Sequence, residues 1–203
     1  MPARNSRKDY VPHSYYHVYN RGVEKRLIFY DSQDYDIFLS YLRRHLSLSP
    51  ESDRAGRNYV LYPSIELLAY CLMSNHFHLL IYVKDEPCQM IKLMQSVCTA
   101  YSMYFNKRYK RVGHLFQGRF RAVRVTHEGY LQHISRYIHL NPGQFLSWQW
   151  SSLSYYLGDR SDDWVRPARI LEMFTGNDYL NFVKDYSGQR AMFQEIKTNL
   201  ADR

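Results

Sequence analysis

Two histidines separated by one apolar residue stand in the run Ser74-Asn75-His76-Phe77-His78-Leu79-Leu80-Ile81. Side chains along a β-strand alternate between faces, so His76 and His78 point one way and Phe77, Leu79 and Ile81 the other. Two imidazoles on adjacent same-face positions can share one divalent cation. A third ligand must come from elsewhere, and Arg136-Tyr137-Ile138-His139-Leu140-Asn141-Pro142 offers one. If this piece is helical, Tyr137 and Asn141 are four residues apart and share a face. A cation on His76, His78 and Asn141 would then sit beside the Tyr137 phenol, a layout for attack by tyrosine on a metal-held phosphodiester. Each residue also has an ordinary reading. A His-x-His pair can lie on a half-exposed strand without metal, most of the 20 tyrosines must be structural, and an asparagine before proline is a common helix cap.

The charge distribution points to the substrate class. The segment 87–127 holds eight of the 27 basic residues (Lys92, Lys107, Arg108, Lys110, Arg111, Arg119, Arg121, Arg124) and none of the 19 acidic ones. It therefore carries the whole net charge of +8. Tyr101, Tyr104, Phe105, Tyr109, Phe116 and Phe120 are interleaved with these cations and offer rings on which bases can stack. Cations with rings among them suit a nucleic-acid partner; a solvated basic helix is the plainer alternative. No apolar run approaches the roughly 20 residues of a membrane span, and the polar, basic start is unlike a signal peptide. Three scattered cysteines, Cys71, Cys88 and Cys98, form no metal-ligand pattern and suit a reducing compartment. A cytoplasmic location is expected.

The elements that must position these residues follow from periodicity. Tyr15-Tyr16-His17-Val18-Tyr19-Asn20 predicts a first strand, and the spacing of Ile37, Phe38, Tyr41, Leu42 and His45 a helix over 34–48. Residues 49–57 read as a loop. A strand over 64–73, a turn at Ser74-Asn75 and a strand over 76–84 form a hairpin. Pro87 opens a second helix reaching about Arg111, a loop follows over 112–118, and 120–126 predicts a fourth strand. Thr126 or His127 caps a third helix that carries Tyr137 and stops at Pro142. The first six elements give the β-α-β-β-α-β order of a ferredoxin-like fold: an α+β domain with a four-stranded antiparallel sheet and two helices on one face. The aromatic stretch 147–157 should pack back on the core. We divide the chain into a flexible arm (1–13), a catalytic domain (14–158) and a helical C-terminal extension (159–203). The extension has helical spacing over 165–185, broken at Gly176-Asn177, and a last helix over 187–203.

Three stretches, Leu72-Met73-Ser74-Asn75-His76-Phe77-His78-Leu79-Leu80, Phe116-Gln117-Gly118-Arg119-Phe120 and Tyr137-Ile138-His139-Leu140-Asn141-Pro142, occur in an order and spacing that resemble the single-tyrosine transposases of the HUH-endonuclease superfamily. The similarity is greatest to the REP-associated tyrosine transposases and spans residues 10–158. It implies a ferredoxin-like fold and a metal-dependent single-stranded DNA endonuclease and strand transferase. Tyr137 would be the nucleophile, forming a 5′-phosphotyrosine link at hairpin-forming repeats. Mg²⁺ or Mn²⁺ would be held by His76, His78 and Asn141; many single-tyrosine relatives carry glutamine where Asn141 stands. The resemblance places Gln117, Arg119 and Arg121 near the DNA path. Arg21, Lys107, Arg108, Lys110, Arg111 and His114 are further candidates for DNA contact. His133 is a weaker candidate for base, and His139 for a supporting role. Monomer and homodimer both occur among such proteins. The rival reading is a binding module for structured single strands, which needs neither the histidine pair nor Tyr137. A relaxase or replication initiator of the same superfamily is a third reading.

Overall fold

The computed structural model describes residues 10–48, 60–126, 128–176 and 178–185. The loop expected over 49–57, most of the N-terminal arm, the His127 cap and the last helix expected over 187–203 lie outside the described residues. The elements are β1 (Ser14–Arg21), a 3-10 turn (Val23–Lys25), α1 (Ser32–Leu46), β2 (Ile65–Met73), β3 (His76–Val83), α2 (Pro87–Arg108), β4 (Arg121–Val125), α3 (Glu128–His139), α4 (Leu153–Tyr156), α5 (Ala168–Leu171) and α6 (Tyr179–Lys184). The four strands form one sheet in the order β2-β3-β1-β4, and every neighbouring pair is antiparallel. This is the ferredoxin-like arrangement that the element order implies.

Strand alternation gives the sheet two different faces. Phe77, Leu79, Ile81 and Val83 alternate with His76, His78, Leu80 and Tyr82 along β3. The first set faces α1 and α2, where Phe38 meets Phe77 at 5.0 Å between ring centroids. The second set shares its face with Tyr19 and Arg21, because Tyr19 pairs with His78 and Arg21 with His76. Burial of Phe38, Leu42, Leu46, Met90, Leu93, Met94, Val97, Tyr101 and Phe105 against the first face makes the main core. Apolar area removed from water there drives the fold at roughly 25 cal/mol per Å².

Asp34 ties the two helices together. Its carboxylate accepts from the Tyr30 N–H at 2.8 Å, the Tyr104 hydroxyl at 2.9 Å, the Tyr109 hydroxyl at 2.9 Å and Arg108 Nη1 at 2.8 Å. Asp31 caps α1 by accepting from the Asp34 N–H and also pairs with Arg108 at 2.6 Å. α2 ends at Arg108 rather than near Arg111, because Lys110 turns into the left-handed region (φ 50°) and Arg111 N–H bonds back to the Asn106 carbonyl.

The chain after α3 runs back along β2. Leu72 N–H bonds the Trp150 carbonyl, Ser152 N–H the Tyr70 carbonyl and Arg166 N–H the Leu67 carbonyl, each at 2.8–2.9 Å. This strap covers one edge of the sheet, and Trp164 is fully buried beneath it. The helical spacing expected over 165–185 resolves into two short helices. Val165 instead makes a parallel bridge to Leu67, Pro167 has no N–H to give a preceding turn, and Gly176 takes φ +63° between α5 and α6. No helix among the described residues is long and apolar enough to cross a membrane.

Asp34→Ala removes the acceptor shared by two tyrosines and Arg108 inside the helix layer. It should lower unfolding free energy by about 3 kcal/mol, read as a drop in urea midpoint. A shift within error would mean that the helices are held by packing alone.

Candidate active site

β3 and α3 together build the site. The second face of the sheet carries His76 and His78 from β3 and, on β1, Tyr19 in register with His78 and His17 one same-face pair further along, opposite Leu80. The Tyr137 ring sits edge-on over His78 at 5.5 Å and over His17 at 5.9 Å, between ring centroids. It is 7% exposed. α3 brings Tyr137 there because Leu131, Ile134 and Ile138 are all buried on the same helix, whose apolar stripe must face the sheet.

Each imidazole of the pair is oriented by a second group. His76 Nδ1 lies 2.6 Å from the Asn75 side-chain oxygen, so it is the donor there and Nε2 keeps its lone pair. His76 Nε2 faces Asn141 Oδ1 at 3.5 Å. His78 Nδ1 lies 2.9 Å from His17 Nε2. Asn141 also donates from Nδ2 to the Tyr137 carbonyl at 3.1 Å, which caps the end of α3. The capping role of this asparagine is thus present, and the same side chain also faces His76.

The electrostatics of the site are set by burial. Desolvation pushes His17 down to about 3 and His78 well below the usual histidine range, the latter helped by its two histidine neighbours. Desolvation lowers His76 as well, with Arg21 adding to the effect and Asn141 opposing it. Burial raises the Tyr137 phenol; a hydrogen bond from the Asn141 side chain works against that, and Tyr19 works with it. The rings are thus neutral and fit to be ligands, while the phenol holds its proton. A nearby positive charge would reverse the second effect.

Among the described residues no three His, Cys, Asp or Glu side chains form a metal cluster. The donors on offer are two imidazole nitrogens and one amide oxygen. Two donors each about 2.1 Å from one ion lie about 3 to 3.5 Å apart, which the His76–Asn141 separation of 3.5 Å matches. With Nδ1 of both histidines already engaged, Nε2 is the nitrogen left for coordination. The residues present fit a divalent cation that takes its remaining ligands from water or phosphate.

The expected DNA-contact residues divide into three groups. Arg21 and Arg121 project from the site face, opposite His76 and Tyr19 respectively. Arg21 Nη2 donates to the Gln117 side-chain oxygen at 3.0 Å, and Gln117 N–H bonds the Arg21 carbonyl. Gly22 makes this junction, since a Cβ there would stand 2.2 Å from the Arg26 carbonyl. Lys107, Lys110, His114 and Arg119 are exposed along α2 and the loop after it. Arg108 is engaged within the protein: it pairs with Asp31 and Asp34 in the helix layer. Arg111 is half-buried, donating to Asn106 and lying over the Phe105 ring.

Two other histidines also find their places. His133 meets Arg136 at 2.7 Å and the Phe182 ring. His139 is buried between Tyr179 and Ser152 and is pushed down to about 3 by burial. His17 is the residue that motif reasoning missed. The only hint was its alternation with Tyr16 and Val18 in a predicted strand, and the strand order that seats it beside His78 cannot be read from local pattern.

Residues 49–141 match the family described as "Transposase IS200 like". No curated protein matches the chain. The structure of the REP-associated tyrosine transposase bound to a REP hairpin shares the fold, with a TM-score of 0.53 and 14% identity, covering 80% of this chain and 92% of that one. A transposase structure from Deinococcus radiodurans R1 (TM-score 0.39, 16% identity, covering 66% of this chain and 95% of that one) is a looser likeness. Yeast tRNA(His) guanylyltransferase, from Saccharomyces cerevisiae, is similarly loose (TM-score 0.44, 12% identity, 93% of this chain and 86% of that one). Neither of these two bears on function.

The pKa shifts fix a pH dependence. The folded values of His17, His76, His78 and His139 lie below the unfolded value of about 6.5, so the fold favours their neutral forms. Their contribution to stability is complete above pH 6.5 and is lost as pH falls from there toward 3, on the order of 1 kcal/mol per pH unit for a fully buried ring. The urea midpoint of metal-free protein should drop between pH 7 and pH 5, and His17→Gln should flatten the dependence. A midpoint unchanged by pH would mean that these rings accept protons in the folded state.

Proposed function

We propose that this chain, which has the fold of a REP-associated tyrosine transposase and matches the IS200-like transposase family over residues 49–141, is a transposase of that kind and cuts and rejoins single-stranded DNA through Tyr137. The observation that carries this reading is the packing of the Tyr137 ring on His78, with Asn141 reaching both His76 and the phenol. A structural tyrosine needs no such neighbours.

In this reading His76 Nε2, His78 Nε2 and Asn141 Oδ1 hold Mg²⁺ or Mn²⁺. When bound, the cation polarises a phosphate oxygen and offsets the developing charge. Asn75 and His17 keep the two ligand rings in the right orientation and tautomer. Arg21 and Arg121 bind the backbone phosphates beside the scissile bond, Gln117 holds Arg21 in place, and Arg119 continues the cationic path. The Tyr137 oxygen gives up its proton to a water molecule and attacks phosphorus, and the bond to the 3′ oxygen breaks. The products are a 5′-phosphotyrosine link and a 3′-hydroxyl that takes up a proton. The covalent link conserves the phosphodiester energy, so the reverse attack by a 3′-hydroxyl rejoins a strand. The substrate we assign is hairpin-forming repeat DNA, a reading supported by the REP-associated relative, which is bound to a REP hairpin.

Purified protein incubated with labelled single-stranded hairpin DNA and Mn²⁺ should give a covalent protein–DNA adduct on a denaturing gel. EDTA should abolish the adduct. Tyr137→Phe should reduce its formation by at least about 10³-fold, as removal of a nucleophile does, while DNA affinity is kept. Tight, EDTA-insensitive binding without any adduct would replace this reading with that of a binding module.

A further inference from the structure

The side of α3 away from Tyr137 is held by a chain of buried hydrogen bonds that the proposed chemistry does not use. Ser135 and His139 are one turn apart, and two residues turn a helix by about 200°, so both lie across the axis from Tyr137. Ser152 Oγ, on the strap, accepts the Tyr70 N–H of β2 at 2.8 Å. It lies 2.8 Å from His139 Nε2. His139 Nδ1 lies 2.7 Å from the Tyr179 hydroxyl of α6. Tyr179 donates to Ser135 Oγ at 3.0 Å, and Ser135 donates to the Gln132 carbonyl at 2.7 Å.

One set of protons satisfies the series. Ser152 donates to His139, neutral His139 donates to Tyr179, and Tyr179 donates to Ser135. A longer contact of Ser152 with the Tyr70 carbonyl, at 3.2 Å, competes only for the first proton. Ser135, His139, Ser152 and Tyr179 are all buried, where a lost partner is costly and bond direction is strict. The apolar stripe of α3 can hold the helix against the sheet yet allow it to roll. The directed bonds, anchored on the β2 backbone at one end and α6 at the other, do not allow it. A roll of about 10° moves an atom about 8 Å from the axis by about 1.4 Å. Misplacement on that scale can cost about 10²-fold in rate.

We propose that Tyr179, acting through His139 and Ser135, is a positioning residue for Tyr137: it fixes the rotation of α3 and so holds the phenol over His78. This rests on Tyr137 being the nucleophile. It gives Tyr179, beyond residue 158, a part in the reaction that acts through α3.

The test is Tyr179→Phe, which keeps the ring and its packing and removes one hydroxyl. Ile65→Val, a small core loss at the start of β2, serves as a control of comparable destabilisation. Single-turnover adduct formation should slow by about 10- to 100-fold in Tyr179→Phe, with hairpin affinity unchanged and Ile65→Val at the wild-type rate. A second readout is independent of catalysis: NMR contacts between the Tyr137 ring and His78 should be lost or weakened in Tyr179→Phe and kept in Ile65→Val. A wild-type rate with intact contacts in Tyr179→Phe would overturn the proposal, as would equal slowing in the control. Lost contacts in Tyr179→Phe when even the wild type forms no adduct would uphold the positioning and overturn the nucleophile assignment instead.

Discussion

The two-residue repeat of a β-strand is the constraint on which this molecule depends. Along β3 it sends Phe77, Leu79, Ile81 and Val83 into the core and leaves His76 and His78 on the opposite face. The apolar set is what anchors the strand in the centre of the sheet, between β1 and β2. The polar set is held rigid as a by-product, because neither histidine can move without the core beneath it moving too. A slip of one residue in pairing would exchange the two faces completely. The site is therefore as well fixed as the hydrophobic core, although it contributes little to that core.

Burial gives the second face its chemical character. Removing the three imidazoles and the phenol from water favours the neutral form of each. The result is an uncharged surface of nitrogen and oxygen donors ringed by cationic Arg21 and Arg121. A neutral donor set binds a divalent cation less tightly than carboxylates would, and the phosphates that such a cation meets bring the missing negative charge. Under the proposed function, binding of metal and of substrate would accordingly support one another.

The parts of this arrangement that rest on local pattern were legible in the residues alone. Strand alternation showed that His76 and His78 share a face, and helical spacing showed the same for Tyr137 and Asn141. Element order was enough for the sheet topology. What could not be read depends on contacts between distant segments. His17 stands beside His78 only because β1 pairs with β3. Arg108 looked like one more cation in a basic run until α1 brought Asp31 and Asp34 against it from 77 and 74 residues away. Val165 had a helical neighbourhood, but the exposed edge of β2 offered its backbone partners and pulled it into a bridge. His133 had the right spacing for the Tyr137 face and was claimed instead by Arg136 and Phe182.

The strap along β2 has a bearing on how copies of this chain can meet. An open sheet has two edges, and each is a template for adding a strand from another molecule. Residues 150–166 occupy the β2 edge with backbone bonds of their own. The other end of the sheet is β4, only five residues long and carrying Arg121 and Arg124. A short, cationic edge repels its own likeness. Among the described residues, continuous sheets running through two or more protomers are thus disfavoured at both ends, which leaves the sheet to a single chain.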